Sequence, residues 1–212
     1  MRRFGVNVTL DPATAHPQLL LSADGKQVVC AESLQNVPPS KERFDTELWV
    51  LAQKKLTHGY FEVLVQGCRD WTVGVVPELM DRSGPLNCTA ADLFLALQMR
   101  NGNCYATEYG TLVQLREDIQ RIGVFVGYGG EVSFYDVDDS RVALLYSFTE
   151  YYVNETATLL PVFSPGSGDV PMIILPTWDV EFRPLLTYEV KSDKIKVENF
   201  LTGKYLKDKM VL

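Results

Sequence analysis

Arg121-Ile122-Gly123-Val124-Phe125-Val126-Gly127-Tyr128-Gly129-Gly130-Glu131-Val132-Ser133-Phe134-Tyr135-Asp136-Val137 is the stretch that decides the fold. Ile122, Val124 and Val126 recur at every second position, and Val132 and Phe134 do the same after the glycines. A period of two puts alternate side chains on opposite faces of an extended strand, so each run reads as a strand with one buried face. Gly129-Gly130 between two such runs reads as a β-hairpin, because tight hairpin turns need backbone angles that glycine adopts at least cost.

The same texture extends in both directions. Upstream, Gly59 to Gln66 places Phe61, Val63 and Val65 on one face and Tyr60, Glu62 and Leu64 on the other. Trp71, Val73 and Val75 alternate next, and Leu93 to Met99 is another run. Downstream come Val142 to Phe148, Leu159 to Phe163 and Met172 to Leu175, with Pro165-Gly166-Ser167-Gly168 as a loop. Helical periodicity is scarce, and short helices are predicted only near Pro12 to His16 and Ala90 to Asp92. Many short strands punctuated by turns predict an all-β antiparallel sandwich or barrel. Trp49, Trp71 and Trp178 are assigned to the core, since large aromatics dominate sandwich interiors.

Composition is compatible with this. The chain has 212 residues, 46% apolar and 22% charged, which suits a sizeable core and excludes a disordered, collagen-like or coiled-coil chain. Its formal charge of −7 argues against nucleic acid or an anionic membrane as the main partner. No apolar run approaches the roughly 20 residues of a membrane helix. Met1-Arg2-Arg3 leads straight into strand-like sequence with no apolar signal region, so the expected location is cytoplasmic. The sequons at Asn7, Asn87 and Asn154 are then inert. Charge is unevenly spread. Residues 180–212 carry seven Lys/Arg against five Asp/Glu, net +2, leaving −9 on the remainder. Thr187 to Lys191 and Lys194 to Glu198 alternate around Ser192-Asp193, which suggests a hairpin within an edge arm or flexible tail. The sharper reading is an arm that docks on the acidic body or on a partner.

Catalytic chemistry finds little to work with. Cys30, Cys68, Cys88 and Cys104 show no paired spacing for zinc and are read as buried thiols. His16 and His58 sit beside Pro17 and Gly59 without a nucleophile elbow or a metalloprotease motif, and are read as surface loop residues. The glycines from Gly123 to Gly130 match no phosphate-binding pattern. Asp136, Asp138 and Asp139 begin like a calcium loop, but Arg141 stands where glycine is needed, so they are read as a polar turn. No enzyme activity, cofactor or metal is expected of this chain.

Several strings resemble one family, in order. Val8-Thr9-Leu10-Asp11-Pro12 is similar to the opening motif of PRY-SPRY domains, and Leu20-Leu21-Ser22 to the strand after it. Gly59-Tyr60-Phe61-Glu62-Val63 stands where the family has Trp-Glu-Val. Trp71-Thr72-Val73-Gly74-Val75, the hairpin quoted above, and Leu160-Pro161-Val162-Phe163-Ser164-Pro165-Gly166 resemble its later motifs. The resemblance implies a PRY-SPRY domain over 1–178, with PRY about 4–55 and SPRY about 56–178, and a basic extension over 179–212. It implies a bent sandwich of two antiparallel sheets, SPRY-type and concanavalin-like, with short N-terminal helices. Departures from the pattern are Phe61 and Leu95 for tryptophans, and Gly127 and Gly129 for two acids.

The resemblance also implies a function. Such domains recognise proteins through loops at one end, as substrate-selecting parts of tripartite-motif (TRIM) ubiquitin ligases, or in butyrophilins and fish innate-immune receptors. The alternative is a butyrophilin-type sensor of phosphorylated metabolites. Any ligase chemistry, and any zinc, would belong to separate RING or B-box domains. Matching positions for partner binding are Arg69, Asp70, Asp81, Arg82, Gln98, Arg100, Tyr128, Tyr151 and Tyr152. The arginines offer forked donors and the tyrosines rigid aromatic area. The expected partner is a protein or peptide, with no nucleic acid and no membrane insertion. Each position also has a structural reading: Arg69-Asp70 as a surface pair, Tyr151 as core, Arg100 as the flank of a hairpin.

Overall fold

A computed structural model describes residues 2–86, 89–149, 158–176, 186–191, 194–199 and 210–211. Tyr151, Tyr152, Cys88 and Trp178 lie outside the described residues. The elements in order are a 3-10 turn η1 (Arg2–Phe4), β1 (Leu19–Ser22), β2 (Gln27–Cys30), β3 (Val50–Leu51), β4 (Gly59–Leu64) and β5 (Trp71–Pro77). Then follow η2 (Ala90–Asp92), β6 (Leu95–Arg100), β7 (Asn103–Ala106), β8 (Thr111–Val113), β9 (Arg121–Val126), β10 (Val132–Val137) and β11 (Val142–Phe148). The last are β12 (Leu159–Ser164), β13 (Met172–Ile174), β14 (Leu186–Lys191), β15 (Lys194–Asn199) and β16 (Met210–Val211).

Two antiparallel sheets form the body. One has the order β11-β10-β9-β4-β13-β2-β1-β16 and the other β3-β12-β5-β6-β7-β8. β14 and β15 pair separately. The period-two reading of the sequence matches the packing. Phe61, Val63, Val65, Val73, Val75, Ile122, Val124, Val126, Val132 and Phe134 all belong to one core between the sheets. Phe61 meets Phe163 edge-on at 5.7 Å, and Phe134 meets Phe148 at 5.9 Å, the offset geometry that aromatic quadrupoles favour. Each fully buried side chain of this size contributes on the order of 1.5–3 kcal/mol.

Four expectations need correction or refinement. Pro12 to His16 is not a helix but a turn. Thr14 Oγ1 donates to the Asp11 carbonyl at 2.9 Å and accepts the Leu51 N–H at 2.9 Å, so the turn is stitched to β3 instead of propagating. His16 is buried rather than on the surface, its Nδ1 accepting the Gln18 N–H at 3.1 Å. Burial holds its pKa below the usual 6.5, against the opposing pull of Asp45. Asp136 belongs to β10, not to the turn, and only 3% of it is exposed; it pairs with Arg116. The strand expected from Leu93 starts at Leu95, because Leu93 takes a left-handed conformation (φ 58°) after η2.

Candidate functional site

The outer face of the six-stranded sheet is divided. Toward the Pro77 end, Phe44, Trp49, Leu51, Val76, Phe94, Ala96, Leu160 and Val162 make a second apolar cluster. Trp49 stacks on Phe94 at 4.9 Å and meets Phe44 edge-on at 5.6 Å. The segment carrying Phe44 and Trp49 thus caps this half of the sheet, so Trp49 is buried here and not between the sheets. Toward the Trp71 end the register lines up Ser164, Thr72, Gln98, Tyr105 and Leu112 across β12, β5, β6, β7 and β8. Thr72 and Ser164 are buried, Gln98 and Tyr105 half-buried, and Leu112 is 51% exposed. Arg100, two residues beyond Gln98 on the same face, is exposed.

Strand direction sorts the sequence-predicted residues to opposite ends of the sandwich. β4 runs from Gly59 to Leu64 and β5 runs back, so the β4–β5 turn with Arg69 and Asp70 lies at one end, together with the β6–β7 turn after Arg100. Asp81 and Arg82 in the β5–β6 loop, and Tyr128 in the β9–β10 turn, lie at the other. The predicted cluster is therefore two groups, about 20 Å apart for strands of six residues.

At the Arg69 end three turns are locked together. Asp70 Oδ1 accepts the Asn101 N–H at 3.1 Å, tying the β4–β5 turn to the β6–β7 turn. Asn101 (φ 51°) and Gly102 (φ 76°) both have positive φ, the signature of a tight two-residue hairpin. Gly166, also left-handed, brings the β12–β13 loop so close that a Cβ there would sit 2.4 Å from the Asp70 carbonyl oxygen. Arg69 and Arg100 project from this frame, both exposed. Among the described residues neither has an ion-pair partner. Asp70 thus holds the two turns in register. Beside Arg69 opens a cavity of about 390 Å³ with Trp71, Met99, Cys104 and Ile119 in its walls. Burial pushes the Cys68 and Cys104 thiols up to about 12, so neither is a nucleophile at neutral pH. Cys30, half-buried, is likewise a free thiol with a raised pKa.

At the Tyr128 end the predicted residues behave differently from one another. Arg82 is spent inside the fold, donating to the carbonyls of Glu42 at 2.6 Å and Glu78 at 3.2 Å. Asp81 Oδ1 accepts the Ser83 N–H at 3.0 Å in its own turn. Tyr128 is 84% exposed, with its ring stacked on His58 at 3.7 Å. Phe4 and Phe125 complete that aromatic group. Sequence reasoning missed His58 as the support of Tyr128, and also Tyr105 and Leu112. Their only signal was the Asn-Gly turn, which sets the β6–β7 register that places Tyr105 beside Gln98. Among the described residues no group of three His, Cys, Asp or Glu converges on a metal position. Nor is any described helix long and apolar enough to cross a membrane.

Comparison with known proteins agrees with this architecture. The SPRY-associated domain profile (PRY) matches residues 8–56, and the SPRY domain profile matches residues 58–177. The chain is 36% identical over 178 residues to the E3 ubiquitin-protein ligase TRIM11 of Rattus norvegicus, covering 82% of this chain and 37% of that protein. It is 34% identical over 181 residues to butyrophilin subfamily 2 member A2 of Mus musculus, covering 81% and 34% respectively. It therefore spans little more than a third of the curated relatives it matches. Among solved structures, the TRIM65 PSpry domain superimposes with a TM-score of 0.69 at 22% identity, covering 82% of this chain and 92% of that one. The stonustoxin structure gives 0.67 at 22% identity, covering 81% of this chain and 29% of that one. With two consecutive profiles spanning most of its length on a sandwich of two antiparallel sheets, the chain belongs to the PRY-SPRY family.

Proposed function

We propose that this domain is a protein-recognition module that holds a protein or peptide target against the open half of the six-stranded sheet and the turns at its Arg69 end. One observation carries the reading. Arg69 and Arg100 are exposed guanidiniums without an ion-pair partner among the described residues, on turns latched by Asp70, next to the row Gln98, Tyr105 and Leu112. A rigid frame with forked donors beside a mixed polar and apolar strip suits carboxylate or amide groups on a peptide backbone or an acidic loop. The neighbouring cavity accepts one apolar side chain of the target. Tyr128 adds contact only for a target long enough to reach the opposite end. Tyr151 and Tyr152 remain candidate contacts by family resemblance. Within a TRIM-type ligase or an innate-immune protein such a module selects the target in the cytoplasm, and its own role is recognition.

A phosphorylated metabolite fits less well. Arg82 is committed to carbonyls, Arg116 to Asp136, and Arg121 to Asp139, so these three cations are already engaged within the described residues. The test is affinity capture with the full chain, read by mass spectrometry, for wild type, Arg69→Ala and Arg100→Ala. Each substitution is expected to reduce target recovery on the order of tenfold, a typical loss for an interface arginine, while leaving the melting temperature in place. Normal capture by both variants refutes the assignment.

A further inference from the structure

The two-layer sandwich leaves one face of the eight-stranded sheet turned away from the core. On β4 this face carries Tyr60, Glu62 and Leu64; on β13 it carries Ile173. Leu64 and Ile173 are direct cross-strand partners, and with Leu175 they form a cluster separate from the inter-sheet core. Only 1%, 4% and 3% of these three residues is exposed, and only 3% of Tyr60 and 4% of Glu62. Leucine and isoleucine side chains this deeply buried on an outward-turned face are covered by other parts of the chain. β1 to β13 all lie within the two sheets, η1 meets β4 near Tyr60, and η2 lies in the β5–β6 loop. The chain after Pro176 leaves the sheet beside this cluster.

That segment contains an element in need of a cover. The β14–β15 register pairs Tyr188 with Val197 and Val190 with Ile195, and in the sequence Leu186, Tyr188 and Val190, then Ile195 and Val197, recur at every second position. The alternate pairs are polar: Thr187 with Glu198, Glu189 with Lys196 and Lys191 with Lys194. An isolated two-stranded ribbon is marginal in water and needs its apolar face buried. The connectivity points to where. The Leu175 N–H donates to the Glu62 carbonyl at 2.9 Å, so the chain leaves the sheet beside the apolar cluster. A connection of residues 176–185 can reach at most about 35 Å. The chain then returns to the same sheet at β16, which pairs Met210 with Ser22 and Val211 with Leu21 on the far side of β2. The inner face is filled by the second sheet, which leaves the outer face for the crossing. Charge agrees: residues 177–212 carry seven Lys/Arg against six Asp/Glu, net +1, against −8 on the rest of the chain.

We propose that the outer face of the eight-stranded sheet is a docking surface occupied by this chain's own C-terminal ribbon. β14–β15 seats its apolar face on Leu64, Ile173 and Leu175, presents its charged face to water, and is held at its far end by β16. The surface lies on the opposite side of the molecule from the open half of the six-stranded sheet, so ribbon and target occupy the domain together.

The test uses the full-length protein with labelled Leu, Ile and Val methyls. Nuclear Overhauser contacts are expected from Leu64, Ile173 and Leu175 methyls to the Tyr188 ring and Val197 methyls, within one molecule. In the full chain, Tyr188→Asp with Val197→Asp is expected to abolish them and to accelerate exchange of the Leu175 amide about tenfold, leaving the Val63 and Val124 methyls unshifted. Absence of these contacts in the wild type overturns the proposal, whatever the variant does. Contacts that arise only between differently labelled molecules, with a solution mass twice that of the monomer, overturn it in favour of a second copy as occupant.

Discussion

Replacing Arg82 by alanine separates a structural tie from a binding contact. The guanidinium donates to the carbonyls of Glu42 and Glu78, and the Arg82 carbonyl accepts the Asp45 N–H at 3.3 Å. Next to it the Gly84 N–H donates to Asp45 Oδ1 at 2.7 Å, so the β5–β6 loop and the 42–45 segment are sewn together there. A hydrogen bond from a charged donor contributes about 1.5–3 kcal/mol when buried. Arg82 is half-buried and water replaces part of each bond, so the two together are worth about 1–2 kcal/mol. For a chain of this size that lowers the melting temperature by about 2–8 °C. Arg82→Lys recovers only part, because a single ammonium cannot reproduce the fork across two carbonyls. The assay is thermal melting by circular dichroism, with hydrogen exchange at the Gly84 amide as the local probe. Exchange there is expected to rise in Arg82→Ala. A melting temperature within about 1 °C of wild type, unchanged Gly84 exchange and lost target capture would refute the reasoning and return Arg82 to the binding surface.

Further outcomes follow from His16 and from the acids around Arg116. His16 is held neutral in the fold, with its pKa below 6.5, so its stabilising contribution is present above that value and lost as pH falls through the lower folded pKa. Denaturant midpoints are expected to drop between about pH 7.5 and about pH 5.5, and His16→Asn, which keeps an acceptor for the Gln18 N–H, is expected to flatten that drop. Asp136 pairs with Arg116 at 2.5 Å from a nearly fully buried position, so urea denaturation of Asp136→Asn is expected to show a loss of about 2–3 kcal/mol, below the buried-pair range because Arg116 is about one-third exposed. Asp118→Asn, exposed and 3.8 Å from the same guanidinium, is expected to cost under about 0.5 kcal/mol; equal losses would contradict this reading.

The amino-acid order by itself determined the strands, because a half-buried strand writes its two faces into the sequence at a period of two. Ile122, Val124, Val126, Val132 and Phe134 were legible as core, as were Phe61, Val63 and Val65, and the Gly129-Gly130 hairpin was legible from its turn chemistry. The family's ordered motifs added the sandwich. Pairing across long separations was not legible, since nothing local to Asp70 says that it meets Asn101, or to Arg82 that it meets Glu42. That is why the described candidate contacts formed one group in the sequence and two in space, and why the hydrogen bonds of Arg82 and Asp70 to distant segments were not foreseen. His16 looked like a surface residue for the same reason: a loop beside proline carries no local mark of the distant Trp49 carbonyl that its N–H meets. Local periodicity reports which face of an element is apolar. What lies against that face, and which polar groups it leaves for a partner, depends on contacts between segments far apart in the chain, and only the tertiary structure decides it.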